Sequence, residues 1–251
     1  MLPEERQKAI GSYLAQKGFA SVAELCERFS VSEMTVRRDL DVLQEQGILR
    51  RTYGGAAPAE AAFFEVSLLA KMKEFVQEKE RIGAAAAGMV RDGQTVLLSG
   101  GSTCHQVAKH LKKRRISVVT NAINIASELV SGPHIRTLVA GGILLPGPAC
   151  LVGPQAVAFL KEVQADVLFL GVEGISVEGG PTLPDVIEAD TDRAMMASAR
   201  RTVVVADHSK LGRNALIAIA PLNRIDLIIT GSESDEAAVE ELKRHVQVQL
   251  V

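Results

Sequence analysis

The sequence predicts a multi-domain α/β protein. It has a small N-terminal helical domain closed by a β-hairpin, and a larger C-terminal α/β domain with a mainly parallel, Rossmann-like sheet. Three observations carry this. Up to about Gly47, apolar side chains recur at helical spacing between capping residues. ILRRTYGGAA, from Ile48 to Ala57, is a strand, a glycine-containing turn and a return strand. From about Gln94, the apolar runs TVLLS, SVVT, RTLVAG, DVLFLGV, TVVVA and DLIIT alternate with helical segments. Such continuous runs suit strands buried on both faces.

Each element has a local cause. Pro3 suits a first helical turn, Ile10, Tyr13 and Leu14 form one stripe, and Gly18 ends the run. Ser21 is positioned as an N-cap, with Glu24 three residues on to complete a capping box; Val22, Leu25 and Phe29 then form a second apolar stripe. Ser32 caps a third helix, which Gly47 stops. The expected division is a winged helix-turn-helix over 1–57, a linker over 58–73 beginning at Pro58, and the α/β domain over 74–251. One or two helices are expected within 63–90.

Composition excludes several classes. The 251 residues carry a net charge of −2, so there is no global basic field, and any nucleic-acid contact must be a local patch. Cys26, Cys104 and Cys150 are odd in number and form no C-x-x-C pair, which suits reduced thiols better than disulfides or zinc. Cys104 and His105 are adjacent and have no further obvious ligands, so neither a metal nor another cofactor is expected. MLPEERQKAI has no apolar signal core, and no apolar stretch is long enough to span a bilayer; the expected compartment is the cytoplasm.

The third helix shows where the patch lies. At about 100° per residue, Val36, Leu40 and Leu43 share a narrow sector that must face a core. Met34 and Arg38 fall opposite, flanked by Thr35 and Arg37. Two short helices joined by SVS make a helix-turn-helix, whose second helix enters the major groove by its N-terminal part. Arginine's forked donors match guanine's two acceptors or a phosphate. The DNA contacts expected are therefore Ser32, Met34, Thr35, Arg37 and Arg38, with Arg50, Arg51 and Tyr53 of the wing holding the backbone. The competing reading is a solvated helix face, and Asp39, Asp41 and Glu45 speak for it.

VAELCERFSVSEMTVRRDLDVLQEQGILRRTYGGA resembles the winged helix-turn-helix of the DeoR family of bacterial transcriptional regulators, with its V-S-x-x-T-[IV]-R-R-D-L run and GGA wing. The likeness extends over nearly the whole chain. It implies a C-terminal domain like ribose-phosphate isomerase, acting as a sensor of a phosphorylated sugar.

The residues lead to a similar place. SGGSTCHQVAKHL, residues 99–111, follows a strand and opens a helix, so Ser99, Gly100, Gly101, Ser102 and Thr103 are candidates to cradle a phosphate on backbone N–H groups. Thr120 and Asn121 end the next strand, resembling the family's T-N-S/A-x-x-I-A, and Glu173 stands in a run resembling G-A-D-G-I. Residues 138–156 have the glycine and proline density of a loop folding over a pocket. Asp207 and Lys210 follow another strand, Lys210 as a cationic phosphate contact; Glu188 and Arg193 face the pocket or pair with each other. Ser99 stands where family members often have aspartate, Glu173 where aspartate is usual, and Asp192 where lysine often precedes R-A-M. Losing a negative and a positive group should change which sugar is accepted.

The expectation is a ligand-responsive transcriptional regulator, most simply a repressor in carbohydrate metabolism. Its partners are double-stranded operator DNA, a phosphorylated sugar or polyol, and further copies of the chain as homodimer or homotetramer, since such readers bind paired half-sites. The alternative is a sugar-phosphate isomerase-like enzyme with an accessory DNA-binding domain, which needs a general base and a partner for the developing oxyanion and would recruit them from Asp207, Glu173 and Lys210.

Overall fold

A computed structural model describes residues 2–17, 20–46, 48–52, 55–58 and 68–251. They belong to two units, Met1–Val66 and Ser67–Val251.

The first unit runs α1 (Pro3–Lys17), β1 (Ala20–Ser21), α2 (Val22–Phe29), α3 (Glu33–Glu45), β2 (Leu49–Thr52) and β3 (Gly55–Pro58). Ile10, Leu14, Leu25, Val36, Leu40, Leu43 and Leu49 form its buried core. Ser21 caps α2 by accepting from the Glu24 N–H, but the capping box is only half made. The Glu24 carboxylate instead accepts from Tyr13 and Lys17 of α1, so a contact between helices displaces a local one. Ser32 caps α3 through the Thr35 N–H. The wing strands pair antiparallel, Arg51 opposite Ala56, and β1 adds a third strand that the sequence did not suggest. Gly18, Gly47, Tyr53 and the side chain of Arg50, all given roles from sequence, lie outside the described residues.

Asp39 departs from expectation. It was grouped with the surface carboxylates Asp41 and Glu45, yet only 2% of it is exposed. Arg6 of α1 donates to it through Nε at 2.6 Å and Nη2 at 3.3 Å, and Gln7 adds a third bond at 2.9 Å. This pair joins α1 to the back of α3.

The second unit begins earlier than the expected 74. Its first turn, α4 (Leu68–Lys71), buries Leu68 and bonds to Gly147 O, while Pro58 pairs with Leu49 within β3; both stand inside the span read as linker. Then come α5 (Val76–Gly88), β4 (Thr95–Leu98), α6 (Ser102–Leu111), β5 (Ile116–Thr120), α7 (Ile123–Leu129) and β6 (Ile135–Val139). A hairpin of β7 (Ile143–Leu145) and β8 (Cys150–Val152) leads to α8 (Pro154–Leu160) and β9 (Val167–Leu170). β10 (Gly174–Ser176) and β11 (Gly180–Leu183) precede α9 (Val186–Ala197), followed by β12 (Thr202–Val205), β13 (Ile217–Ala218), β14 (Leu227–Thr230), α10 (Glu236–Lys243) and β15 (Gln247–Leu250). Residues 138–156, read as one loop, thus contain a hairpin and the start of a helix.

The main sheet has the order β15-β14-β12-β9-β4-β5-β6, every neighbouring pair parallel. Alternate residues feed two cores: Val96, Leu98 and Phe169 meet α5, α6 and α7 on one face, while Leu97, Leu168 and Leu170 meet α8, α9 and α10 on the other. That two-sided burial is why the strands read as unbroken apolar runs. From β4 the chain winds outward through β5 and β6, then returns to the other side of β4 with β9. The direction reverses between β4 and β9, and in such sheets the crevice at the strands' carboxyl ends is the place for a ligand. Among the described residues no helix is long and apolar enough to cross a membrane.

Removing one partner of a buried ion pair strands the other charge. Asp39→Ala is expected to destabilise the N-terminal unit by about 3 kcal/mol, and Asp39→Ala with Arg6→Met by much less. Urea titration of the full chain followed by helical circular dichroism reads both.

Candidate functional site

The first candidate surface is α3. Val36, Leu40 and Leu43 hold its back in the core, and Ser32, Met34, Arg37 and Arg38 are exposed, Met34 by 77%. Ser32 Oγ also lies 2.9 Å from Thr35 Oγ1, so both hydroxyls serve the helix start. Arg37 is held by Glu33 one turn back, a pair with both side chains at least half exposed. Pairs of this kind contribute only about 0.2–0.5 kcal/mol, so a phosphate or base edge readily replaces Glu33. Arg51 of β2 donates to Asp41, tying wing to helix. Arg38 has no side-chain hydrogen bond or ion pair among the described residues. Together Glu33, Met34, Arg37, Arg38 and Asp41 line a shallow surface depression.

The second candidate site is the crevice between β4 and β9. Ser99, wholly buried, accepts from the Gly171 N–H at 2.9 Å and so ties the two strand ends together. A Cβ at Gly171 would stand 2.5 Å from Gly100 O, and one at Gly100 2.2 Å from the Cys150 sulfur. Only glycine lets the two loops and the β7–β8 hairpin come so close. Gly101, at φ 112°, starts α6 with no side chain capping it, and Ser102 and Thr103 are buried in its first turn. Bare first-turn N–H groups at a helix start form an anion-binding geometry. On the same rim, Thr120 Oγ1 accepts from the Ala122 N–H, and Asn121 donates to Leu151 O while its own Oδ1, buried, has no partner among the described residues.

The remaining expected contacts behave differently. Lys210 donates to Glu173 at 2.9 Å, and Lys71 donates to the other oxygen of the same carboxylate. Burial works to raise the Glu173 carboxyl, but the two ammonium groups outweigh it and hold it below the ordinary value. Lys210 is thus half of a charge network, not an unengaged phosphate contact. Asp207, 1% exposed, is saturated: it caps a short turn through Ser209, and its other oxygen lies 3.5 Å from the buried Lys79 ammonium. Burial lowers Lys79, with Asp207 partly opposing it. Arg193 turns away to Asp190, Ala218 O and Ile219 O. Glu188 lies half-buried in the first turn of α9.

Two groups that sequence reasoning passed over matter here. Glu78 of α5 is buried and accepts from both the backbone N–H and the ring of His208, at 2.7 and 2.8 Å. Glu78, Asp207 and His208 bring ligand atoms within 4.8 Å of one another, the one set among the described residues whose geometry suits a metal. Lys79 and Ser209 already occupy Asp207, and His208 occupies Glu78, so these atoms are spent on holding the turn. The second group is Asp192, noticed only as a departure from the family pattern. It is 3% exposed; burial and then Glu188 push its carboxyl well above the ordinary value, and it acts electrostatically on Cys104 and Cys150. Burial pushes Cys104 up to about 12, so that thiol stays protonated.

Comparison with known proteins converges on this architecture. A model of the DeoR-like helix-turn-helix domain matches residues 6–61, and one of the DeoR C terminal sensor domain matches residues 74–232. HTH-type transcriptional regulator GlpR of Haloferax volcanii is 34% identical over 97% of this chain and 95% of that protein. The glycerol-3-phosphate regulon repressor of Escherichia coli K12 is 32% identical over the full length of both. HTH-type transcriptional repressor GlcR of Bacillus subtilis is 35% identical over 98% of this chain and 95% of that one. A winged helix-turn-helix followed by an α/β sensor domain defines the class, a DNA-binding transcriptional regulator. Within that class the chain belongs to the DeoR family.

Asp192 has a pH signature. The folded chain favours its protonated form, so its stabilising effect is complete below the unfolded value near 4 and is lost as pH rises through the raised folded value. Asp192→Asn is expected to melt close to wild type near about pH 4 and increasingly above it as pH rises from there. Thermal melts across that range measure the gap.

Proposed function

We propose that the chain is a repressor of carbohydrate-metabolism genes whose DNA affinity is set by a small phosphorylated sugar or polyol in the β4–β9 crevice. The observation that carries the DNA-binding half is Arg38. It is exposed, has no described partner, and stands on the outer face of a serine-capped helix whose other face is buried. Arg37 beside it is held only by an exposed pair. In the groove, Arg38 contacts a base edge, Ser32, Met34, Thr35 and Arg37 line the helix start, and Arg50, Arg51 and Tyr53 hold the adjoining backbone. Two copies of the chain present two such helices to paired half-sites.

For the effector, the uncapped start of α6 takes the phosphate on the Gly101–Thr103 backbone, while Asn121 and Thr120 face the sugar hydroxyls. Ser99 serves as the brace between loops. Glu173 and Lys210 respond as a pair, since an anion near Lys210 competes with Glu173 for it, and Glu188 adds an acceptor from α9. An effector shifts DNA affinity only by binding the two states unequally, a coupling of about 1–3 kcal/mol in typical cases. That one relative is named a glycerol-3-phosphate regulon repressor favours a phosphorylated ligand here.

Against the isomerase reading, its candidate groups are already engaged with one another and with neighbours, Asp207 with Ser209 and Lys79, and Lys210 with Glu173.

Selection of bound fragments from a random DNA pool, followed by anisotropy titration at fixed salt, tests the DNA half. A sequence-specific complex is expected; only weak binding of all sequences alike would refute it. Arg38→Ala is expected to cost about 1–3 kcal/mol on the selected site. Arg51→Ala should weaken all sequences alike and reduce the salt slope by about 1. In the same titration, one member of a sugar-phosphate panel should shift DNA affinity. That ligand at about 100 times its Kd should add about 2.7 kcal/mol of apparent stability in a thermal melt.

A further inference from the structure

A second cavity, of about 660 Å³, shares none of the crevice residues. It lies between α6, α7, the turn of residues 146–149 and the start of the second unit at Leu68 and Met72. Its size falls within the range of small-molecule sites.

Its polar wall is unfinished. His105, with a side chain 6% exposed, lies with Nε2 3.1 Å from Glu128 Oε2, and the other Glu128 oxygen takes Lys112 Nζ. Lys112 holds Glu128 below the ordinary carboxylate value, and burial holds the His105 ring below its own. At neutral pH the ring is therefore uncharged and donates through Nε2 to an ionised carboxylate, which leaves Nδ1 as an acceptor. That Nδ1 is buried and has no partner among the described residues. Asn124, also in the wall, has both carboxamide atoms buried without partners among the described residues. Three of the four such atoms among the described residues thus belong to two wall residues of one cavity. Buried polar groups are nearly always satisfied, and a set of unsatisfied ones signals a missing partner.

We propose that this cavity is a second ligand site, for an uncharged sugar or polyol. The unmet groups comprise two acceptors and one amide donor, which hydroxyls satisfy because each both donates and accepts. Ser127 and Ser131 add hydroxyls, and Leu68, Met72, Ile123 and Pro146 supply an apolar wall for the carbon face of such a molecule. The charges exclude a phosphate, since the one cation in the wall, Lys112, is already neutralised by Glu128. Because Leu68 and Met72 begin the second unit, a ligand here stiffens the stretch into which the chain from the DNA-reading unit runs.

Saturation-transfer NMR on the full-length protein tests this with glycerol, sorbitol, D-glucose and D-galactose, each alongside its phosphate ester. At least one uncharged member is expected to bind saturably, and its phosphate ester should not displace it. Asn124→Leu should weaken that binding by about tenfold or more. Thr103→Val, in the crevice, should leave it within about twofold. Since Asn124→Leu also changes buried packing, Ser127→Trp at the exposed rim is measured in parallel and should block the mouth and abolish binding. If none of the four binds, if binding survives both Asn124→Leu and Ser127→Trp, or if Thr103→Val abolishes it, the proposal fails. Water alone then satisfies His105 and Asn124.

Discussion

A parallel sheet covered on both faces has no side to offer a ligand, and everything about the sensor unit follows from that constraint. Seven strands share two cores, with Leu98 and Phe169 committed to one face and Leu97 and Leu168 to the other. The freedom left is at the strand ends, and it is greatest where the winding reverses, between β4 and β9. There the chain spends Ser99 on bracing the Gly171 loop and uses glycine wherever a side chain would collide. What remains is a start of α6 without a capping side chain, on the same rim as an asparagine whose oxygen is unmet among the described residues.

The reader unit solves a similar problem with far less core. Among the described residues, ten buried apolar side chains hold its helices and strands together. A buried Arg6–Asp39 pair is weak evidence for added stability, because desolvating two charges offsets much of their attraction. Its geometric effect is firmer: three donors on one turn of α1 fix the back of α3, so the side chains on its outer face are presented at a set angle. The outer arginines are, by contrast, loosely held or unpaired among the described residues, as suits groups that must exchange partners on binding.

Charge in the sensor is arranged in closed networks. Glu173 is shared by Lys71 and Lys210, Asp207 by Ser209 and Lys79, and Glu128 by His105 and Lys112. Asp192 stands apart as a carboxyl with no cation in a network among the described residues, raised well above its ordinary value first by burial and then by Glu188. A negative ligand near Lys210 would compete inside one of these networks, and a neutral one between α6 and α7 would leave them intact.

Much of this was legible in the sequence. The helix caps at Ser21 and Ser32, the Val36–Leu40–Leu43 spine, the six main strands and the glycine-rich turn before α6 are set by short-range periodicity and local hydrogen bonding, which a linear text displays. The partners of side chains are not written there. Asp39 reads as one more surface acid until α1 delivers Arg6; Glu24 reads as half of a capping box until Tyr13 and Lys17 claim it; Lys210 reads as a free cation until Glu173 arrives from 37 residues away. The hairpin within 138–156 and the edge strand β15 were missed because their pairing energy comes from distant segments. Sequence alone determined the reader helices, the six main strands, their order and the outward-facing arginines, because those depend on neighbours a few residues apart. Tertiary structure decided which charges are spent and which cavities stay open, because burial and ion pairing depend on residues that only folding brings together.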